Sequence, residues 1–118
     1  MSMRILVTGG RKFDDKELLF EFLDRLHQER SITLVIHGAA RGADSLAEKW
    51  GKARGVETLP CLPDVERYKD GVWREQSEQM LAHKPDLVVA FPGGNGTANM
   101  VELAQRAGVE VMLASPDE

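Results

Sequence analysis

The residues best suited to chemistry in this chain of 118 residues are two arginines and three groups of glycines, and the chemistry they suit is the holding of an anion. Arg11 follows Gly9-Gly10, Arg41 lies inside Gly38-Ala39-Ala40-Arg41-Gly42-Ala43-Asp44, and Gly93, Gly94 and Gly96 stand in Pro92-Gly93-Gly94-Asn95-Gly96-Thr97. A glycine lacks the Cβ that would hold a ligand away from the main chain. The free N–H groups of a helix start, with the macrodipole behind them, then make a phosphate cradle. A guanidinium fork in such a turn adds charge-assisted bonds of about 1.5 to 3 kcal/mol each. Asp44 is at minimum a carboxylate favoured at a helix start, and it can equally accept from a ribose hydroxyl or a base amino group. Thr97 can donate to phosphate or help cap its helix. His37, at a strand end, is expected to be a core histidine with a satisfied ring.

These turns need elements to hold them. Arg4 to Thr8 reads as a short buried strand, Thr33 to His37 as a second, Val56 to Leu59 as a third, Asp86 to Phe91 as a fourth and Glu110 to Ala114 as the last. Between them lie helical patterns: Leu18, Leu19, Phe22, Leu23 and Leu26; Leu46, Ala47, Trp50 and Ala53; Trp73, Ser77, Met80 and Leu81; Met100, Val101, Ala104 and Ala107. Asp14 with Glu17 has the spacing of a capping box for the first helix, and Gly55 and Gly108 close the second and fourth. The dozen or so residues from Pro60 to Gly71 read as a long loop expected to overhang the site.

Strand and helix alternation of this kind predicts an α/β fold, a single open parallel five-stranded sheet flanked by about four helices. Right-handed crossovers put the turn after every strand along one edge, so all three glycine turns should converge on one crevice there.

Composition narrows the function classes. With 42% hydrophobic and 29% charged residues, the chain is ordinary for one globular domain covering residues 1–118. A net charge of −4 and few aromatics speak against nucleic acid as a partner. Cys61 is the single cysteine, so no disulfide within the chain is possible, and His27, His37 and His83 are too scattered to suggest a metal site by spacing. The start of the chain runs directly into a strand, so a cytoplasmic protein with no membrane attachment is expected.

Gly9-Gly10-Arg11, the run from Val35 to Asp44 and the run from Pro85 to Thr97 together resemble the SLOG superfamily, specifically its YspA-type, YpsA-related branch, over essentially the whole chain. The resemblance implies a Rossmann-like fold whose glycine turns bind a nucleotide or an ADP-ribose-like derivative, with no cofactor firmly implied. Phosphate would be held by Gly9, Gly10, Arg11, Gly38, Ala39, Arg41, Gly42, Gly93, Gly94, Gly96 and Thr97, with Arg74 reaching the ligand and Asp44 or His37 reading ribose or base. Gly71-Val72-Trp73-Arg74-Glu75 keeps the glycine and arginine of the branch's Gly-Pro-x-Arg-Asn segment and replaces its proline and asparagine.

Related LOG-type phosphoribohydrolases carry Pro-Gly-Gly-x-Gly-Thr-x-x-Glu. Here Met100 replaces the glutamate, and Glu102 points roughly 200° further round the helix. A small phosphorylated ligand held by a sensor or carrier is therefore the favoured reading. A nucleotide hydrolase, with Asp44, Glu75 or His37 as base, is the alternative, and single-stranded DNA binding is the third. The resemblance leaves a homodimer open, to which an exposed Trp50, Trp73 or Phe13 would contribute.

Overall fold

The computed structural model describes residues 2–62 and 72–114, with backbone only at 72–75 and 95. The chain runs β1 (Met3–Thr8), α1 (Lys16–Glu29), β2 (Ile32–His37), α2 (Ala43–Arg54), β3 (Glu57–Pro60), α3 (Val72–Ala82), β4 (Leu87–Ala90), α4 (Asn95–Arg106) and β5 (Glu110–Leu113). The five strands form one sheet in the order β3-β2-β1-β4-β5, and every pair is parallel. The expected α/β architecture is thus present, and the strand order reverses between β1 and β4. Of the expected loop from Pro60 to Gly71, only residues 60–62 are described: Pro60 closes β3, and 63–71 lie outside the described residues.

Alternation along the buried strands builds two cores. Ile5 and Val7 of β1 and Leu87 and Val89 of β4 face α1 and α2, where Leu19, Leu23, Ala47 and Trp50 meet them. Leu6, Ile36 and Val88 face the other way, onto Met80 of α3 and Met100 and Ala104 of α4. Both faces of β4 are therefore apolar, as a central parallel strand requires.

Two local expectations change. The carboxylate capping α1 belongs to Asp15, which accepts from Leu18 N at 3.0 Å, whereas Asp14 contributes its backbone carbonyl to Lys16 N at 2.9 Å. The two residues are adjacent, and the helix begins one position later than the Asp14 to Glu17 spacing implies. Trp50 is fully buried rather than exposed. Its ring meets His27 edge-on at 5.6 Å, and its indole Nε1 donates to Asp24 at 2.8 Å, so α1 supplies both the apolar cover and the polar partner. Phe13 is half-buried against Phe91, with ring centroids 5.3 Å apart. The side chain of Trp73 lies outside the described residues.

Asp24 also accepts a forked pair of bonds from Arg54 at 2.7 and 2.8 Å. The guanidinium, and after it the indole N–H, holds the carboxyl below its usual 3.8, at about 2. A depressed folded value stabilises above the unfolded one and is lost as pH falls through about 2. Both side chains are partly solvated, which limits the ion pair to about 1 kcal/mol. Asp24→Asn is accordingly expected to lower stability by up to about 1 kcal/mol at neutral pH. The gap to wild type should close between pH 4 and 2, as read from urea unfolding across that range. No helix among the described residues is long and apolar enough to cross a membrane.

Candidate functional site

The turns after β1, β2 and β4 meet at the carboxyl edge, and most of their glycines serve the meeting itself. Gly10 is the joint. Its N–H donates to Pro92 O at 2.9 Å, and its carbonyl accepts from Phe13 N at 3.2 Å and Ala43 N at 3.3 Å. A Cβ on Gly9 would lie 2.5 Å from the Cβ of Ala43, and one on Gly93 would lie 2.6 Å from Gly10 N. Gly42 has φ +77°, and its Cβ would run into the Gly10 carbonyl. These glycines let three backbone segments touch. Gly94 and Gly96 differ, because a Cβ on either would meet nothing within 4 Å.

That open space belongs to the start of α4. Gly94 is the N-cap, no side chain caps the helix, and no acidic residue stands in its first turn. The first helical bond is Ala98 N to Gly94 O at 3.1 Å, so the N–H groups of residues 95–97 have no acceptor within the helix. Two other helix starts carry a carboxylate: Asp15 caps α1, and Asp44 lies in the first turn of α2. Thr97, half-buried, sets its hydroxyl beside Gly93.

The turn after β2 is built the opposite way. Asp44 Oδ2 accepts from Gly38 N at 2.9 Å and Ala40 N at 3.3 Å, while Ala39, at φ +58°, donates its N–H to His37 Nδ1 at 3.0 Å. Its three successive N–H groups are therefore consumed, whereas those at the start of α4 have no acceptor within the helix. Because Nδ1 of His37 accepts, Nε2 carries the hydrogen and donates to Glu48 Oε1 at 2.7 Å. The ring is buried and satisfied on the α2 side of the sheet, as the sequence suggests, away from the cleft. Burial raises the pKa of Asp44, while its backbone bonds and His37 oppose that rise. Glu48 moves downward, chiefly through its bond to His37.

A cleft of about 1400 Å³ runs across the edge. Of the expected residues it is lined by Gly9, Gly10, Arg11, Gly38, Asp44, Gly93, Gly94, Gly96 and Thr97. Ala39, Arg41 and Gly42 are not in its lining, and Arg41 is exposed. The side chain of Arg74 lies outside the described residues. Met100 is almost fully buried among Leu6, Met80 and Val88, so the position of the LOG-type glutamate is apolar floor. Glu102 also borders the cleft, because the cleft extends along α4, and it is paired with Arg106 at 2.6 Å. Among the described residues no group of His, Cys, Asp and Glu could hold a metal ion.

One residue of the site escapes a reading of the glycine turns. Gln76 of α3 is buried in the lining, and its Nε2 donates to Gly38 O at 2.7 Å and Cys61 O at 2.8 Å. Its signal was helical spacing, since it shares a face with Met80 one turn on.

Residues 3–68 match the family model described as YAcAr, the YspA, cpYpsA-related SLOG family. That span carries the first two glycine turns and stops short of the third. The Gene 61 protein of Mycobacterium phage D29 is 32% identical over 118 residues, an alignment covering 92% of this chain and 94% of the relative. The solved structure of the Moco carrier protein from Chlamydomonas reinhardtii shares the fold, with a TM-score of 0.70 at 23% identity, covering 99% of this chain and 80% of that one.

Proposed function

Because the chain belongs to the YspA, cpYpsA-related SLOG family, we propose that it is a sensor or carrier that holds a small phosphorylated ligand, a nucleotide or a nucleotide-like cofactor, in the cleft at the carboxyl edge of its sheet. The observation that carries this reading is the start of α4, uncapped, free of acidic side chains and open above Gly94 and Gly96. A phosphate there accepts from the unpaired N–H groups and meets the positive end of the helix. Arg11, in the same lining, supplies charge. The fold shared with the Moco carrier protein supports carriage over turnover. So does Met100, a buried thioether where a hydrolase would place a carboxylate.

Thermal unfolding with a panel of nucleotides, ADP-ribose, NAD, a phosphorylated pterin and short single-stranded DNA tests the reading. A ligand at a hundred times its dissociation constant adds about 2.7 kcal/mol and raises the midpoint by several degrees. Silence from every phosphorylated member overturns the proposal, and a response to DNA alone would move the site to nucleic acid.

A further inference from the structure

The turn after β2 holds one peptide unit by both ends. The carbonyl of Gly38 accepts from Gln76 Nε2 at 2.7 Å, and the N–H of the same Gly38–Ala39 peptide donates to His37 Nδ1 at 3.0 Å. The groups on either side of that peptide are fixed separately, since Gly38 N and Ala40 N both donate to Asp44 Oδ2, at 2.9 and 3.3 Å. The plane between them can therefore rotate about its Cα–Cα axis while its neighbours stay in place. Glycine at position 38 tolerates either orientation. Ala39 does not favour the one it has, because φ +58° is left-handed backbone that a Cβ resists.

A lone pair keeps the peptide in this orientation. His37 accepts at Nδ1 because its ring is neutral, with the hydrogen on Nε2 for Glu48 at 2.7 Å. A second proton would go onto Nδ1 and set two N–H groups against each other. The ring is the less free of the two to move: it is buried, Glu48 ties it at Nε2, and its backbone carbonyl accepts from Cys61 N at 2.7 Å. The titratable groups around it among the described residues are Glu48 and Asp44 of α2, with Lys52 3.4 Å from Glu48, and Cys61 after β3, which meets it through the backbone. The charges of Glu48 and Asp44 complement an imidazolium, so the Ala39 N–H is the contact that a second proton breaks.

We propose that His37 is a proton-operated latch: its protonation flips the Gly38–Ala39 peptide, so that the Gly38 carbonyl turns to accept from Nδ1–H and the Ala39 N–H turns to the Gln76 side. A flip exchanges the directions of C=O and N–H, so one hydrogen bond at the ring replaces another. It also takes Ala39 from φ +58° to a negative φ, which relieves the backbone. Gln76 retains its second acceptor, Cys61 O, at 2.8 Å. Gly38 and Gln76 line the cleft, so the flip puts an N–H where a carbonyl stood and gives that wall a donor. His37 is outside the lining and acts through Ala39, as a positioning residue. The flip does not depend on which ligand the cleft takes.

NMR of the isotope-labelled whole chain between about pH 8 and 5 tests this. The imidazole nitrogens of His37 report its protonation, and the amide-to-α-proton coupling of Ala39, with its NOEs to Gly38, reports the orientation of the peptide. At the alkaline end His37 is expected as the Nε2–H tautomer with Ala39 left-handed. As pH falls, the ring should gain its proton and Ala39 should move to negative φ with one shared midpoint. His37→Asn keeps a side-chain acceptor that takes no proton, and it should hold Ala39 left-handed throughout. A flip that persists in this variant would belong to Asp44, whose pKa burial raises, and overturns the inference. A charged His37 beside an unflipped Ala39 overturns it too, as does a ring that stays neutral to the acid end. The wild-type spectra decide the matter even if the variant fails to fold.

Discussion

Gly94→Asp is expected to yield a protein that folds and melts at least as high as wild type, yet loses phosphate-dependent binding by about a hundredfold or more. Both halves follow from the start of α4. Nothing lies within 4 Å of the new Cβ, so the side chain fits without moving a neighbour. An aspartate at the N-cap accepts from the N–H groups of the first turn and complements the dipole, adding about 0.3 to 1 kcal/mol. Those are the donors proposed for the phosphate, and the carboxylate also repels it. Titration with whichever phosphorylated ligand stabilises the wild type checks the loss, and a melting curve checks the gain. Undiminished binding would mean that the phosphate sits elsewhere.

Gly42→Ala is expected to fail in the opposite way, losing about 2 to 4 kcal/mol of stability and binding together. The residue has φ +77° and ψ −126°, which an L side chain rarely adopts, and its Cβ would collide with the Gly10 carbonyl. That carbonyl is part of the backbone, so no rotamer change relieves the clash. Gly42 O also accepts the opening bond of α2, from Leu46 N at 3.0 Å. A fall in melting temperature of roughly 10 °C should appear in thermal unfolding. A variant with wild-type stability would show that the turn relaxes freely and that the junction at Gly10 is not tight.

The contrast between Gly94 and Gly42 marks the limit of what the sequence discloses. Apolar β-branched runs such as Val88-Val89-Ala90, three of them ended by a glycine turn and followed by a helical stripe, were enough for the elements, the parallel sheet and the gathering of turns at one edge. What each glycine is for was not legible, because the atom it makes room for comes from a distant segment. The same limit applies to Asp44 and Arg41. Local pattern puts both in a phosphate-binding turn, but Asp44 spends that turn's N–H groups and Arg41 lies outside the cleft lining. Gln76 sat in plain view on the Met80 face of α3, yet its importance depends on the carbonyls of Gly38 and Cys61, which only the assembled sheet brings together.

The junction at Gly10 also bears on kinetics. It joins the turn after the first strand to Pro92, near the far end of the chain, and to Ala43 between them. No fragment ending before β4 can contain it, and it closes only when the long crossover has docked β4 against β1. Contacts of such wide sequence separation carry a large loop-closure cost and are slow to form. If the cleft closes after the folding barrier, a bound ligand leaves the rate of folding nearly unchanged and acts by slowing unfolding. Occupancy would then set how long each folded molecule lasts.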